Sequence, residues 1–369
     1  MTILVAYQNE HTAMLLGDAM VSGPEEPDRV CNLPMIGPVT NVFPVGSGYT
    51  IRALTQKVTL ISEECVIAWA GNRLGARMAM LQLADLAKQE VVTPDLVAWF
   101  LKNLNQDTVN LGTSLLGYVV GNNGPEFFSN FEHRDRIELD GATAVVEGST
   151  PEFVEKFIQN SGRSRLPGAC TFTHEEFACE YGLQLATYFL ASESKGYSQL
   201  LRYFGGTYEV ASYANRKFKK CDGATYVFWH GYAEDQSQTP AYPALVLTTS
   251  YRGDDFLVMA QEFTKPPWQH DGAIRARLSV VRPVHSPGGP VSPLMPADFS
   301  SRPSWLCHHF PFSEGDRVRR MSLVKRPRHD GSDSLTIRSR YGAILAIDYN
   351  SAFWKDMYAA IAMIPKLPA

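Results

Sequence analysis

Residues 2–18 read TILVAYQNEHTAMLLGD: an apolar run from Ile3 to Tyr7, a polar turn at Gln8–Thr12, and a second apolar run that ends at Asp18. Two short apolar runs bounded by turn residues predict a pair of antiparallel strands. A hairpin brings its far end back beside its start, so Asp18, sixteen positions after Thr2, is expected next to the head of the chain. Methionine aminopeptidase removes Met1 when the following residue is small. The chain would then begin at Thr2, with a free α-amine beside a hydroxyl. Such a threonine carries its own base, because an amine with a reference pKa of about 8 can accept the hydroxyl proton at neutral pH.

Working outward, KVTLISE (Lys57–Glu63) and CVIAWAG (Cys65–Gly71) read as two further strands. The period then changes. Residues 72–91 place Leu74, Met78, Leu81 and Ala84 or Asp85 at helical spacing, with Arg and Lys on the other face, and this row is the expected apolar face. A second helix begins with Thr93 as N-cap and Pro94 at its first position. Residues 113–131 return to strands about an Asn123–Gly124 turn, ATAVVEGS (142–149) is another strand, and residues 150–159 and 173–194 read as two more helices. Residues 205–214 and 223–232 then read as the two strands of a hairpin near Tyr232. Strands, two helices, strands, two helices, strands is the order of an α+β fold with helices on the outer faces of two antiparallel sheets, a four-layer αββα arrangement.

Two regions stand outside that pattern. Residues 22–50 are rich in Pro and Gly and read as a long insert without element interiors. Beyond Tyr232 comes a hairpin turning at Arg252–Asp255, a Pro-rich stretch, a last hairpin over residues 322–339, and an apolar end, AFWKDMYAAIAMI. The expected organisation is one domain over residues 1–235, carrying the insert, and a β-rich, Pro-rich C-terminal extension over 236–369.

The candidate chemistry gathers around Thr2. Lys57 opens one strand, and fourteen positions later Gly71 ends the next, where a helix starts. A lysine there would lower the pKa of the terminal amine and help move its proton, while Asp18 would hold the ammonium in place. The Gly71 N–H, at a helix N-terminus, would be a donor to an oxyanion. Taken singly, each of these residues is a surface charge or a turn glycine.

In their order and spacing, Thr2, Asp18, Lys57 and Gly71 resemble the active-site set of the proteasome beta-type subunits, members of the N-terminal nucleophile (Ntn) hydrolase superfamily. VVEGST is similar to the family's Gly-Ser turn, so the resemblance makes Ser149 the serine that assists the terminal amine. GGTYEVASYANRKFKKCDGATYVFW is similar to the Gly-Gly hairpin that ends the family's core. The resemblance covers Thr2 to about Tyr232 and departs from the family in three places. The segment between Asp18 and Lys57 is longer. The positions of the family's supporting Asp and Ser fall on Leu201 and Phe204, whose side chains can do neither job, so that Ser192, Glu193 or Ser198 would replace them only in a rebuilt helix end. The tail has no counterpart in a ring subunit. The activity implied is a threonine peptidase or amidohydrolase working through an acyl-enzyme at Thr2, freed by aminopeptidase or by autoprocessing. Resolution by an amine would make it an acyl transferase or ligase. The alternative is a non-catalytic proteasome-like scaffold with a partner-binding tail.

Composition bounds the rest. Thirty-four basic against 38 acidic residues, a net charge of -4, form no basic stripe, so no nucleic-acid partner is expected. No run approaches the about 20 apolar residues that span a bilayer, and the opening run lacks the form of a secretory leader; no membrane partner and a cytoplasmic location are the expectations. The six cysteines fall at no C-x-x-C spacing and read as buried free thiols. Cys307 with His308 and His309, adjacent and without a second cluster, make a weak metal set, and Cys170 with His174 lacks the setting of a thiol nucleophile. The basic run Arg317–His329 reads as a solvated strand face. The expected partner is a peptide or amide substrate, with no cofactor and no metal; a homo-oligomer is left open.

Overall fold

The structure is a computed structural model that describes residues 2–26, 29–40, 42–131, 136–139, 141–161, 173–193, 200–230, 242–263, 274–286, 303–314, 317–327, 335–340 and 344–349. The chain is a mixed α and β protein with several sheets. It divides into two compact units: Met1–Gly162 with Phe172–Cys221 and Val281–Pro290, and Arg163–Thr171 with Asp222–Val280 and Val291–Ala369.

In the first unit the strands are β1 (Ile3–Asn9), β2 (Ala13–Asp18), β3 (Met20–Pro24), β4 (Cys31–Leu33), β5 (Gly37–Val39), β6 (Tyr49–Gln56), β7 (Val58–Ser62), β8 (Cys65–Gly71), β9 (Thr113–Gly121), β10 (Gly124–Ser129), β11 (Ile137–Leu139), β12 (Ala142–Gly148), β13 (Tyr208–Ala214) and β14 (Lys217–Lys220). The helices are α1 (Arg73–Ala87), α2 (Pro94–Lys102), α3 (Gln106–Asn110), α4 (Pro151–Ser161) and α5 (His174–Glu193), followed by a 3-10 turn at Leu200–Arg202. One sheet has the order β11-β12-β1-β2-β13-β14 and another β10-β9-β8-β7. Alternation along β1 divides its side chains: Leu4 and Ala6 share a core with Leu15, Val58, Val66, Ala68 and Leu116, so these two sheets bury apolar faces together. Tyr7 points the other way, with its ring 6.2 Å from Phe177 and 4.8 Å from Tyr181 of α5. On the β8–β9 side, Ile67, Trp69 and Leu115 pack with Ala76, Ala79, Met80 and Leu83 of α1 and Phe100 of α2. Full burial of each large apolar side chain contributes about 1.5–3 kcal/mol.

That contact corrects the expected face of α1. Leu74 and Leu81 are exposed, and the buried face holds Gly75, Ala76, Ala79, Met80 and Leu83, the small residues letting the first turns of the helix lie close to the sheet. Gly75 fits the same logic, since a Cβ there would overlap Thr113 Oγ1. The second helix begins as expected, with Thr93 Oγ1 accepting from Leu96 N at 3.2 Å.

In this unit two strand assignments and one turn differ from expectation. β13 pairs with β14 and not with residues 223–232, because Asn215 and Arg216 both adopt positive φ and close a two-residue turn. The β9–β10 turn lies at Asn122–Asn123, with Gly124 already opposite Gly121. Residues 22–50 are not without elements: β3 extends to Pro24, β4 and β5 form a small hairpin, and Leu33 and Phe43 pack on Met20, Ile51 and Leu200. Within this unit, Arg282 and Pro283 also pair in parallel with Thr55 and Gln56. Cys179 and Cys221 are joined as a disulfide, which corrects the expectation of free thiols. The pair links α5 to the end of β14, elements brought together by folding, so no spacing motif could reveal it. Cys31 and Cys65 are free thiols, the second of them buried, and Cys307 is also buried.

The second unit holds β15 (Ala224–His230), β16 (Tyr242–Arg252), β17 (Asp255–Phe263), the start of β18 (Ile274–Pro283), β19 (Trp305–Glu314), β20 (Arg317–Lys325), β21 (Leu335–Arg340) and β22 (Ile344–Tyr349). Its strands run in the order β20-β19-β15-β16-β17, and the β16–β17 hairpin turns at Arg252–Asp255. The expected last hairpin is corrected. β20 pairs with β19 over a nine-residue register, Leu306 opposite Lys325 to Glu314 opposite Arg317, and β21 pairs with β22. The Pro-rich residues 287–302, Cys170, Ser198 and the apolar end from Ser351 lie outside the described residues.

Candidate active site

β1 is held on both sides from its first residues, with Ile3 opposite Gly148 of β12 and Leu4 opposite Gly17 of β2. This register sets Thr2 beside the turn after β12. Ser149 N donates to Thr2 O at 2.8 Å, and Thr2 N donates to Ser149 Oγ at 3.0 Å. The approach requires Gly148: its φ is +134°, and a Cβ there would overlap the Thr2 carbonyl oxygen.

Lys57 occupies the single position between β6 and β7 and is fully buried. Its ammonium has three N–H groups and three acceptors: Thr2 Oγ1 at 2.6 Å, Asp18 Oδ1 at 2.8 Å and Met20 O at 2.6 Å. Gly17 lies beside this position, and a Cβ on it would press on Val58 Cγ2 at 3.0 Å and Leu4 Cδ2 at 3.2 Å. Desolvation pulls the Lys57 pKa below its ordinary value, and the Asp18 carboxylate, then Glu209, oppose that shift. Asp18 in turn is bound by backbone N–H groups: Ile3 N donates to Oδ1 at 3.0 Å, and Gly205 N and Met20 N donate to Oδ2 at 3.0 and 3.3 Å. Together with Lys57 Nζ, these donors occupy both oxygens of the carboxylate.

Thr2, Asp18, Lys57 and Ser149 therefore form one connected set. Gly71 ends β8 at φ +86°, directly before Asn72, the N-cap of α1, whose side chain accepts from Leu74 N and Gly75 N. No other residue fits at Gly71, because a Cβ would overlap Gly112 O. β8 reaches the set through its pairing with β7: Trp69 N donates to Lys57 O at 3.1 Å, two residues before Gly71.

Two buried acids complete the surroundings. Glu209 of β13 accepts from the Lys57 backbone N–H at 3.1 Å and from Lys220 Nζ, which also reaches Gln56 Oε1 and Val58 O. Glu193, the last residue of α5, accepts from Gly206 N and Tyr208 Oη, each at 3.1 Å. Its burial pushes its pKa up to about 8, with Asp18 adding to the rise. At the position of the resemblance's serine, Phe204 is buried, its ring 5.8 Å from Phe189 of α5. The role of Glu209 and Lys220 was missed. The available signal was a glutamate at a buried position in an otherwise apolar strand.

Among the described residues, no group of three or more His, Cys, Asp or Glu could hold a metal ion. In the second unit, His308 Nδ1 accepts from Trp229 Nε1 at 3.3 Å, and burial pushes its pKa down to about 3. Among the described residues, no helix is long and apolar enough to cross a membrane. No protein-family model matches the chain, and a search of curated proteins finds no match.

Proposed function

We propose that the first unit is an N-terminal threonine peptidase or amidohydrolase with the four-layer αββα architecture of the proteasome beta-type subunits. The observation that carries this reading is the 2.6 Å contact from Lys57 Nζ to Thr2 Oγ1, made by a buried lysine that also grips Asp18. Once Met1 is removed, the Thr2 amine takes the Oγ1 proton while that oxygen attacks the carbonyl carbon of a peptide or amide. The Lys57 ammonium donates to the same oxygen and lowers the cost of the charge it develops. Charge passing to the carbonyl oxygen is met by the Gly71 N–H, at the positive end of α1. Collapse of the adduct breaks the C–N bond, the leaving amine takes the proton from the Thr2 ammonium, and an ester remains at Oγ1. Water activated by the same amine releases the acid; an incoming amine would instead give transfer.

The test begins with intact mass after expression. Loss of Met1 and a single adduct at Thr2 from a β-lactone or epoxyketone, absent in Thr2→Ala, are expected. Retained Met1, or no adduct under conditions that label a proteasome, would overturn the reading. A non-catalytic scaffold is the second reading, and Phe204 favours it, since an aromatic ring fills the place where the resemblance requires a serine.

A further inference from the structure

The two acceptors that share Lys57 Nζ with Thr2, Asp18 Oδ1 and Met20 O, depend on one turn, Gly205–Thr207. Gly205 N donates to Asp18 Oδ2 at 3.0 Å, Met20 N donates to Gly205 O at 3.0 Å, and Ala19 N donates to Thr207 O at 2.9 Å. Gly205 and Gly206 both have positive φ, at +139° and +88°, and glycine pairs of that kind have many alternative conformations. Something must hold them in this one. The group that reaches them is Glu193: its Oε1 accepts from Gly206 N and from Tyr208 Oη on the strand that follows. A Cβ at Gly205 would lie 2.5 Å from that same oxygen, so the carboxyl is packed against both glycines. α5 keeps it there, because Phe189, one turn earlier, packs its ring on Phe204 and on Tyr208. Glu193 is fully buried, and its Oε2 has no partner among the described residues. Leaving a polar atom unsatisfied in this way is costly, which fits a group retained for the work of its other oxygen.

We propose that Glu193 is a positioning residue: it anchors the Gly205–Thr207 turn, and the turn aims the Lys57 ammonium at Thr2 Oγ1. It would do by a different route what the supporting Asp and Ser do in the resemblance, acting on the acceptors of the lysine from behind. The inference rests on the reading of Thr2 as nucleophile, and its test has one arm that does not.

Glu193→Ala, Glu193→Gln and the parent are compared in two measurements. The first is amide hydrogen exchange over residues 204–208. The second is the rate of β-lactone labelling at Thr2, separated into KI and kinact. Alanine should speed exchange across the turn and lower kinact by about tenfold or more with KI unchanged, the scale expected when a catalytic group is misplaced by less than an ångström. Glutamine keeps an oxygen acceptor at Oε1 and should retain parental exchange and most of kinact. Alanine behaving as the parent, or glutamine failing as badly as alanine, overturns the proposal. If the parent is never labelled, the nucleophile reading fails, and the exchange arm alone decides whether Glu193 anchors the turn. If Glu193→Ala does not fold, Tyr208→Phe takes its place. It removes one donor to Oε1 at constant packing and should slow labelling about threefold, as loss of one ordinary hydrogen bond does. An unchanged rate and unchanged exchange would overturn the proposal.

Discussion

Replacing Lys57 by methionine removes the ammonium and keeps the length of the stem, so it isolates the charge from the packing. The perturbed pair is fully enclosed, with side-chain exposures of 1% for Lys57 and 0% for Asp18 at 2.8 Å. Removing one member of such a pair leaves the other charge buried, at a cost of about 3–5 kcal/mol. Asp18 is better protected than most orphaned carboxylates, because the N–H groups of Ile3, Met20 and Gly205 still bind it. The low end, about 3 kcal/mol, is therefore expected for Lys57→Met. Asp18→Asn has a separate cost, since an amide that accepts from Ile3 turns its NH2 toward the Met20 and Gly205 donors. That cost enters both Asp18→Asn and the double variant, so it cancels from the coupling energy of the cycle. The double variant, with no charge left behind, should be more stable than the sum of the singles by about 2–3 kcal/mol. The assay is urea unfolding of all four proteins by far-UV circular dichroism. Additivity within about 0.5 kcal/mol would show that the two groups do not share one buried site, and would refute the geometry on which the mechanism depends.

Glu193 makes a pH prediction. Its carboxyl titrates near 8 when folded against an ordinary 4.5, so between those values the unfolded chain binds fewer protons than the folded one. The stability it contributes is complete below pH 4.5 and is lost as pH rises to 8, at about 1.4 kcal/mol per unit. Glu193→Gln should therefore gain on the parent by about 2–3 kcal/mol between pH 5 and pH 7, and a flat difference in unfolding free energy would exclude a buried neutral acid. Gly148→Ala meets both positive φ and the Thr2 carbonyl, and should cost about 3 kcal/mol or more, with loss of Thr2 labelling. Gly141→Ala, at φ +71° with open space around its Cβ, should cost only about 1–2 kcal/mol by thermal melting.

The residues legible in advance are those whose places follow from strand length and register. Asp18 closes a hairpin that starts at Thr2, and Ser149 follows a glycine turn at the end of the strand paired with β1. Lys57 and Gly71 bracket one hairpin, β7–β8, whose length sets their separation. The face of α1 was not legible, since hydrophobicity ranks Leu74 above Ala76 while the close approach of helix and sheet favours the smaller residue. Glu193 was legible only as one of three replacements at the helix end, and Glu209 and Lys220 not at all, for another reason. Each is defined by a partner on a different element, as in Glu209 with the backbone of Lys57, 152 positions away, and no local pattern encodes such a meeting. The β13–β14 turn was hard to read, because Arg216 takes a left-handed position that a two-residue hairpin turn usually gives to glycine.

The hold on β1 by both of its neighbours has a practical consequence for anyone preparing this protein. Because Ile3 and Leu4 are locked in register, a scar residue or tag ahead of Thr2 leaves the hydroxyl, the lysine and the aspartate where they are, and changes only the nitrogen, from amine to amide. Under the proposed chemistry, such a preparation would fold, melt and crystallise like the authentic chain yet lack its base. Affinity handles belong at the other terminus, and an inert sample is informative only after its first residue has been sequenced.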